Sequence, residues 1–394
     1  MVKKPVLFNF MRMKYKELKQ LPPSFSIINS QLSITFLFMI GLLVSFSGKA
    51  QLSQKLDSVF KSQSSTEPGF ALMIRREGKE IYNNTAGIAN DSSGDKITSQ
   101  TNFRMASVSK QFTAMAILLL EKEGKLSVDD PISTYFPELP ASVGKSVLIR
   151  HLLTHSSGIV DYESMIPDSQ TTQVLDQDIL HLIEHTDTTY FKPGTQFRYS
   201  NSGFCLLALI VERVSHQSFA DFIKKRIFTP LQMAESTVYE KDFPIPHRAM
   251  GYARDQNSNI IFSDQSITSA TKGDGGIYTS LADYTKWVKA LEENKLIDLS
   301  ATLKRLHFSI THTPGNYYAA GWFEMIGKEH VLFHSGSTCG FNNYVILIPG
   351  KKTSIVFFSN LDDRHATFEA ILRILKSEGF GDSGDVIKLH RLTS

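Results

Sequence analysis

The chain has 394 residues, 42% of them hydrophobic and 21% charged, which suits a globular protein with a large core and allows one large domain or two medium ones. Its basic excess sits in the first 50 residues; without them 35 Lys and Arg face 38 Asp and Glu, a net charge of about −3. With no basic run in the remainder, a nucleic-acid partner is excluded.

Lys3, Lys4, Arg12, Lys14, Lys16 and Lys19 precede an apolar run from Ile34 to Phe46 and then Gly48-Lys49-Ala50. This reads as a signal peptide over 1–50, cleaved after Ala50, and hence as an exported protein, periplasmic or secreted. The apolar run has 13 residues, short of the roughly 20 that span a bilayer, so no stable membrane span is expected in the mature chain. The alternative is an uncleaved anchor. Cys205 and Cys339 lie far apart in apolar or small-residue surroundings, without metal-ligand spacing, and read as buried free thiols or, in an exported chain, as a disulfide.

After the leader, Leu52, Leu56, Val59 and Phe60 fit one helix face. Phe70 to Arg75 and Ile81 to Ala89 read as a hairpin turning at Glu77-Gly78-Lys79, followed by a polar loop from Asp91 to Thr101. Within Phe103 to Gly124, a helix starting at Ser107 and Lys110 is apolar on all sides from Phe112 to Leu120 and therefore buried. Helical signals dominate to about residue 290. Ser127 to Pro131 opens a short helix, Leu148 to Thr154 forms another, and Leu175, Ile179, Leu182 and Ile183 line one face of a third. Phe204 to Val214 is a second all-round apolar helix, and Ser218 caps one whose inner face is Phe219, Phe222, Ile223 and Ile227. Ser280 to Asp283 has capping-box spacing ahead of a stripe of Leu281, Tyr284, Val288 and Leu291.

The period then changes. Tyr318 to Met325, Val331 to His334, Tyr344 to Ile348 and Ser354 to Phe358 read as strands, and Phe368, Ile371, Leu372 and Leu375 share one face of a closing helix. Strands, then helices, then strands predict an α/β (α+β) fold: an antiparallel sheet flanked by N- and C-terminal helices, with a mostly helical region inserted. The expected division is a discontinuous sheet domain over 51–106 and 290–394, a helical region over 107–289, and a loose tail over 381–394.

Ser107 and Lys110 stand three apart on the first turn of the buried helix. A lone serine there reads as a helix cap. Lysine changes the reading, because the helix dipole and desolvation both disfavour its charge at that end, which suits a base beside a nucleophile. Phe197-Arg198-Tyr199-Ser200-Asn201 precedes the second apolar helix, so Tyr199 and Asn201 can project the same way from a non-helical segment, and Phe333-His334-Ser335-Gly336-Ser337 places a histidine and a bare glycine on a predicted strand.

In this order and spacing, Ser107-Val-Ser-Lys110, Tyr199-Ser-Asn201 and His334-Ser-Gly336 resemble the three motifs of the serine β-lactamase and penicillin-recognising family, in its class C and DD-peptidase or esterase-like branch. Leu152-Leu-Thr-His-Ser-Ser-Gly158, Lys272-Gly-Asp-Gly-Gly276-Ile-Tyr-Thr-Ser280 and Pro230-Leu-Gln-Met233 are similar to further stretches of that family, over about residues 55 to 377. The resemblance implies a β-lactamase/transpeptidase-like fold and acyl transfer through an ester on Ser107, with no cofactor and no metal. Lys110 and Tyr199 would share the serine proton, Asn201 would hold Lys110 and the substrate amide, and backbone N–H groups of Ser107 and Ser337 would form the oxyanion hole. His334, where many relatives carry lysine, would donate to the substrate or attract its carboxylate. Substrate would add as a strand along the edge containing His334 and Gly336. The implied partners are a small D-amino-acid peptide, an ester or a β-lactam; His-x-Gly in place of Lys-Thr-Gly points to peptidase or esterase work over antibiotic hydrolysis.

Two rivals belong to other classes. His181-Leu-Ile-Glu184-His185 matches an inverted zinc-peptidase pattern, although a solvated helix face explains the same residues. A non-catalytic penicillin- or peptidoglycan-binding module could keep the fold without turnover. His151 and His155 read as structural, and Gly273-Asp-Gly-Gly276 as a tight turn lacking phosphate-loop patterns. No Gly-x-Ser-x-Gly elbow occurs in the mature chain, which disfavours an α/β-hydrolase.

Overall fold

The computed structural model describes residues 51–310 and 315–380. The expected signal peptide and loose tail both lie outside the described residues. The chain divides into two units, 1–55 and 56–394. Of the first, residues 51–55 are helical; the second is described below.

Long uninterrupted apolar runs, not alternation, mark the centre of the sheet. Strand β1 (Phe70–Arg76) is buried along six of its seven residues, and the later strands Phe341–Ile348 and Thr353–Ser359 along their whole length, as strands covered on both faces must be. The hairpin partner of β1 is β2 (Lys79–Ala86). The other end of the chain supplies β3 (Phe308–Ser309), β4 (Asn316–Ala319), β5 (Trp322–Ile326), β6 (His330–Thr338), β7 (Phe341–Ile348) and β8 (Thr353–Ser359). The order is β3-β4-β5-β6-β7-β8-β1-β2, antiparallel throughout, so β1 docks beside β8 and the two chain ends share one sheet.

Aromatic pairs fix what covers each face. On one, Tyr344 and Phe357 meet Phe368 of the closing helix (His365–Ser377) with ring centroids 4.3 and 5.4 Å apart, and Phe70 meets Phe60 of the helical stretch 56–61 at 4.7 Å. On the other, Phe358 packs edge-on against Tyr284 at 5.3 Å. Tyr284 belongs to the helix Leu281–Glu292, whose expected stripe of Leu281, Tyr284, Val288 and Leu291 is buried as read. Its capping box is half made: Ser280 accepts from the Asp283 N–H, but the Asp283 carboxylate accepts from Glu235 and Ser236 instead of turning back.

Between the two sheet segments lie α1 (Lys110–Lys122), α2 (Asp176–Glu184) and α3 (Asn201–Ser215), with a small sheet of Asn102–Arg104, Ile277–Ser280 and Thr237–Val238. Helix α1 is anchored by Phe112 against Trp287 and by Gln111, whose carbonyl accepts from Tyr284 Oη at 2.6 Å and Trp287 Nε1 at 3.2 Å.

Several expectations are corrected. The face of α2 is rotated: Leu175 is 48% exposed while Asp176 and Leu180 are buried, because the Asp176 carboxylate caps the backbone N–H groups of Lys272 and Gly273. The stretch 318–325 is two strands, since Ala320 and Gly321 take left-handed φ values of 48° and 83° and turn the chain. Asp95–Lys96 is a short strand inside the expected polar loop, and Ser127 to Pro131 leads only into a single 3-10 turn, Ile132–Thr134. Asn201 is the first residue of α3, not part of a non-helical segment, with Ser200 as its cap. Cys205 is buried as expected, whereas Cys339 is half-buried, and both are free thiols.

Candidate active site

Strand Asn102–Arg104 pairs with Ile277–Ser280, and the Met105 N–H continues that ladder to the Ile277 carbonyl at 2.8 Å. Ala106 then takes a left-handed φ of 49°, and a 3-10 turn, Ala106–Ser109, swings directly into α1. A non-glycine residue is strained in that region, by about 1 kcal/mol or more. Ser107 is thereby set out on the turn, half-buried, and Lys110 opens the helix fully buried. Neither Met105 nor Ser109, the residues preceding the two helical segments, makes a side-chain cap, and the simple capping role for this serine-rich start is absent.

All three protons of a Lys110 ammonium find oxygen acceptors. Its Nζ lies 3.0 Å from Ser107 Oγ, 2.8 Å from Asn201 Oδ1 and 2.9 Å from the Asp274 carbonyl. The Tyr199 ring stands with its centroid 5.0 Å from the same nitrogen. Sequence separations of 91 and 164 residues are closed here because α1 and α3 pack together while the 272–276 loop crosses both. That loop is tied down on each side: Thr113 donates to the Gly273 carbonyl at 2.6 Å, Asp176 accepts from Lys272 and Gly273, and a Cβ on Gly273 would sit 2.2 Å from the Phe204 carbonyl.

Tyr199 is held by its ring alone. His155 lies 4.2 Å away by centroid, Phe323 stacks at 6.3 Å with planes 9° apart, and the Tyr199 hydroxyl is buried with no hydrogen-bond partner among the described residues. His155, with a left-handed φ of 53°, brackets the segment: its carbonyl accepts from the Arg198 N–H and its Nδ1 from the Ser200 N–H. Desolvation, and then the positive charge of Lys110, push the His155 pKa well below that of an ordinary histidine, so the ring is neutral. The structural reading of His155 therefore acquires a specific content, the seating of Tyr199.

His334 is 1% exposed. Its Nδ1 lies 2.6 Å from the Ser335 carbonyl, which can only accept, so Nδ1 carries a proton; Nε2 meets the Tyr318 hydroxyl at 3.1 Å. Both ring nitrogens are thus engaged inside the protein. Gly336 is pressed against the nucleophile turn, where a Cβ would stand 2.1 Å from the Met105 carbonyl and 3.2 Å from the Ser107 nitrogen. The β5–β6 ladder ends at Phe323 and Phe333, while the β6–β7 ladder continues to Thr338. Residues 334–338 are therefore strand-paired on one side only, and Ser337 is exposed at that edge.

A cavity beside Ser107 is lined by Arg104, Tyr162, Glu163, Asn201, Asp274 and Ser337. Desolvation raises the Glu163 carboxyl and, with the charge of Asp274 added, lifts buried Asp176 to about 7. Sequence reasoning did not pick out Glu163, Asp176, Asp274 or Thr113. The glycine-rich segment 272–276 was noted, but nothing local shows that its carbonyls face a lysine. His181 and Glu184 pair with each other at 3.2 Å on the outer side of α2, and among the described residues no cluster of three or more His, Cys, Asp or Glu is arranged to hold a metal.

The family model described as Beta-lactamase matches residues 56–377, across the sheet and every segment of this site. The chain belongs to the beta-lactamase family. That places it among serine hydrolases. This beta-lactamase-family chain is 29% identical over 359 residues to penicillin-binding protein 4* of Bacillus subtilis (strain 168), covering 86% of this chain and 78% of that protein. It is 29% identical over 322 residues to protein flp of Staphylococcus aureus (strain NCTC 8325 / PS 47), covering 79% of this chain and 64% of flp, so it spans just under two thirds of that relative. Among solved structures, the octameric penicillin-binding protein homologue from Pyrococcus abyssi is similar, with a TM-score of 0.68 at 26% identity over 85% of this chain and 76% of that one.

Proposed function

We propose that the protein is an exported serine acyl-hydrolase that works through an acyl-Ser107 ester on small D-amino-acid peptides or esters, with weak β-lactam turnover at most. The observation that carries this reading is the buried Lys110 amine within hydrogen-bonding distance of Ser107 Oγ and beside the Tyr199 phenol, which has no hydrogen-bond partner among the described residues. In the first half-reaction Ser107 Oγ attacks the substrate carbonyl, its proton passes through Lys110 and Tyr199 to the leaving oxygen or nitrogen, and the acyl–leaving-group bond breaks. Water then cleaves the ester and restores the serine. A buried hydroxyl without an internal partner is costly, and a leaving group arriving there would supply one. Substrate lies along residues 334–338, where an added strand can pair, and backbone N–H groups of Ser107 and Ser337 receive the oxyanion. With both His334 nitrogens engaged, that residue supports Tyr318 and the strand and leaves substrate carboxylate recognition to others. The test is turnover of a panel comprising a D-Ala-D-Ala peptide, nitrocefin and a p-nitrophenyl ester. Hydrolysis of the peptide or ester well above that of nitrocefin supports the reading, and turnover unaffected by Ser107→Ala would end it.

A further inference from the structure

We propose that Glu163 is the general base that activates the water releasing the acyl group from Ser107. This deepens the acyl-Ser107 reading above and rests on it.

Water attacks a serine ester slowly unless a base takes its proton as the new bond to carbon forms. That base has to be ionised, open to water and beside the ester. Lys110 and Tyr199 return a proton to the departing serine, so they cannot take one from water in the same step. Both His334 nitrogens are engaged inside the protein. Two carboxylates line the cavity beside Ser107. Asp274 is 6% exposed, with one oxygen on Tyr162 Oη at 3.2 Å and the other buried, out of reach of solvent. Glu163 is exposed, and only its Oε1 is engaged, accepting from Asn201 Nδ2 at 3.0 Å; Oε2 accepts no hydrogen bond among the described residues.

The main chain fixes this placement. Ser202 Oγ donates to the Val160 carbonyl at 2.8 Å and accepts from the Tyr162 N–H at 2.9 Å, which ties the 3-10 turn Tyr162–Ser164 to the residue next to Asn201. Carboxylate, amide, amine and serine then form one chain: Glu163 to Asn201 at 3.0 Å, Asn201 to Lys110 at 2.8 Å and Lys110 to Ser107 at 3.0 Å. Desolvation first, and then the charge of Asp161, raise the Glu163 carboxyl above an ordinary one; Asp274 adds to the rise, while the Asn201 bond and the charge of Lys110 oppose it. A carboxylate so raised takes a proton from water more readily.

In the step that follows, water gives one proton to Glu163 while its oxygen bonds to the acyl carbon. The bond from that carbon to Ser107 Oγ breaks, Oγ takes a proton from the Lys110–Tyr199 pair, and the proton on Glu163 returns through solvent to that pair. The product leaves as an acid and the enzyme is as it began.

The test follows p-nitrophenyl acetate on the full chain, with p-nitrophenol release read by stopped flow and acetylation by the mass of the peptide holding Ser107. Glu163→Gln keeps an acceptor for Asn201 and removes the base. Acylation is expected to stay within about threefold of the parent, while the acyl-enzyme lives about 100-fold longer or more. Hydroxylamine, a nucleophile that needs less help from a base, should then restore turnover. An acyl-enzyme lifetime unmoved by Glu163→Gln, or acylation and deacylation falling together, would overturn the proposal. Fluorophosphonate labelling in the same preparation separates the two readings: a labelled parent whose acyl-enzyme lifetime ignores Glu163→Gln sinks the water base alone, whereas a parent neither labelled nor acetylated at Ser107 sinks both.

Discussion

Tyr199→Phe is expected to separate stability from activity. The ring keeps its place, because the contacts with His155, Phe323 and Tyr318 are made by its faces and edge, none by its oxygen. The hydroxyl is buried without a hydrogen-bond partner among the described residues, so removing it takes away an unsatisfied group that costs about 1–3 kcal/mol. The phenylalanine variant should therefore melt no lower than the parent, and about 2 °C or more higher if the lower figure applies. Hydrolysis should fall by about 100- to 10,000-fold, the usual worth of a positioned proton-transfer group. Thermal melting followed by circular dichroism and ester turnover on the same preparation give both numbers. A variant that melts several degrees lower, or keeps full activity, would show that the phenol is a structural group and refute the reasoning.

Three further outcomes are expected. Gly336→Ala should lose most activity and 1–3 kcal/mol or more of stability, because its Cβ would meet backbone of the nucleophile turn at 2.1 Å, where no side chain can yield; melting temperature and kcat check it. Asp176 binds its proton more tightly folded than unfolded, with a native value of about 7 against 3.8, so it makes stability fall as pH rises from about 4 to about 7 and level off above that. Asp176→Asn lacks this term, so urea midpoints measured from pH 4 to 8 should shift in its favour toward pH 8, and a difference that is flat or grows toward acid would contradict the assignment. EDTA should leave hydrolysis unchanged, since His181 is paired with Glu184; activity lost to chelator and restored by zinc would revive the metal reading.

The sequence carried the periodic parts of this fold well. The all-round apolar α1 and α3, the stripe of the 281–292 helix and the closing helix all follow from residue spacing, and the β1–β2 hairpin from its turn signals, although β2 runs Lys79–Ala86, not Ile81 to Ala89, and Ile88–Asn90 is a separate strand. It failed where polar pairing at long range overrode local pattern. Asp176 lies inside although Leu175 looked like the core residue, because two backbone N–H groups some 96 residues away demand its oxygens. The turn at Ala320 and Gly321 hid within an apolar run, and the Leu299–Leu306 helix went unread despite Asp298 standing at its cap. The three motifs that suggested a site do meet, but Asp274 and Glu163 come from loops with no periodicity, and only the folded chain shows that they face Lys110 and Asn201.

Intact-mass analysis after exposure to a fluorophosphonate tests the central claim most directly. One adduct per chain, mapped to the peptide containing Ser107 and absent from Ser107→Ala and strongly slowed in Lys110→Ala, is the outcome this account requires. No adduct on folded protein, or one that persists in Ser107→Ala, would contradict it.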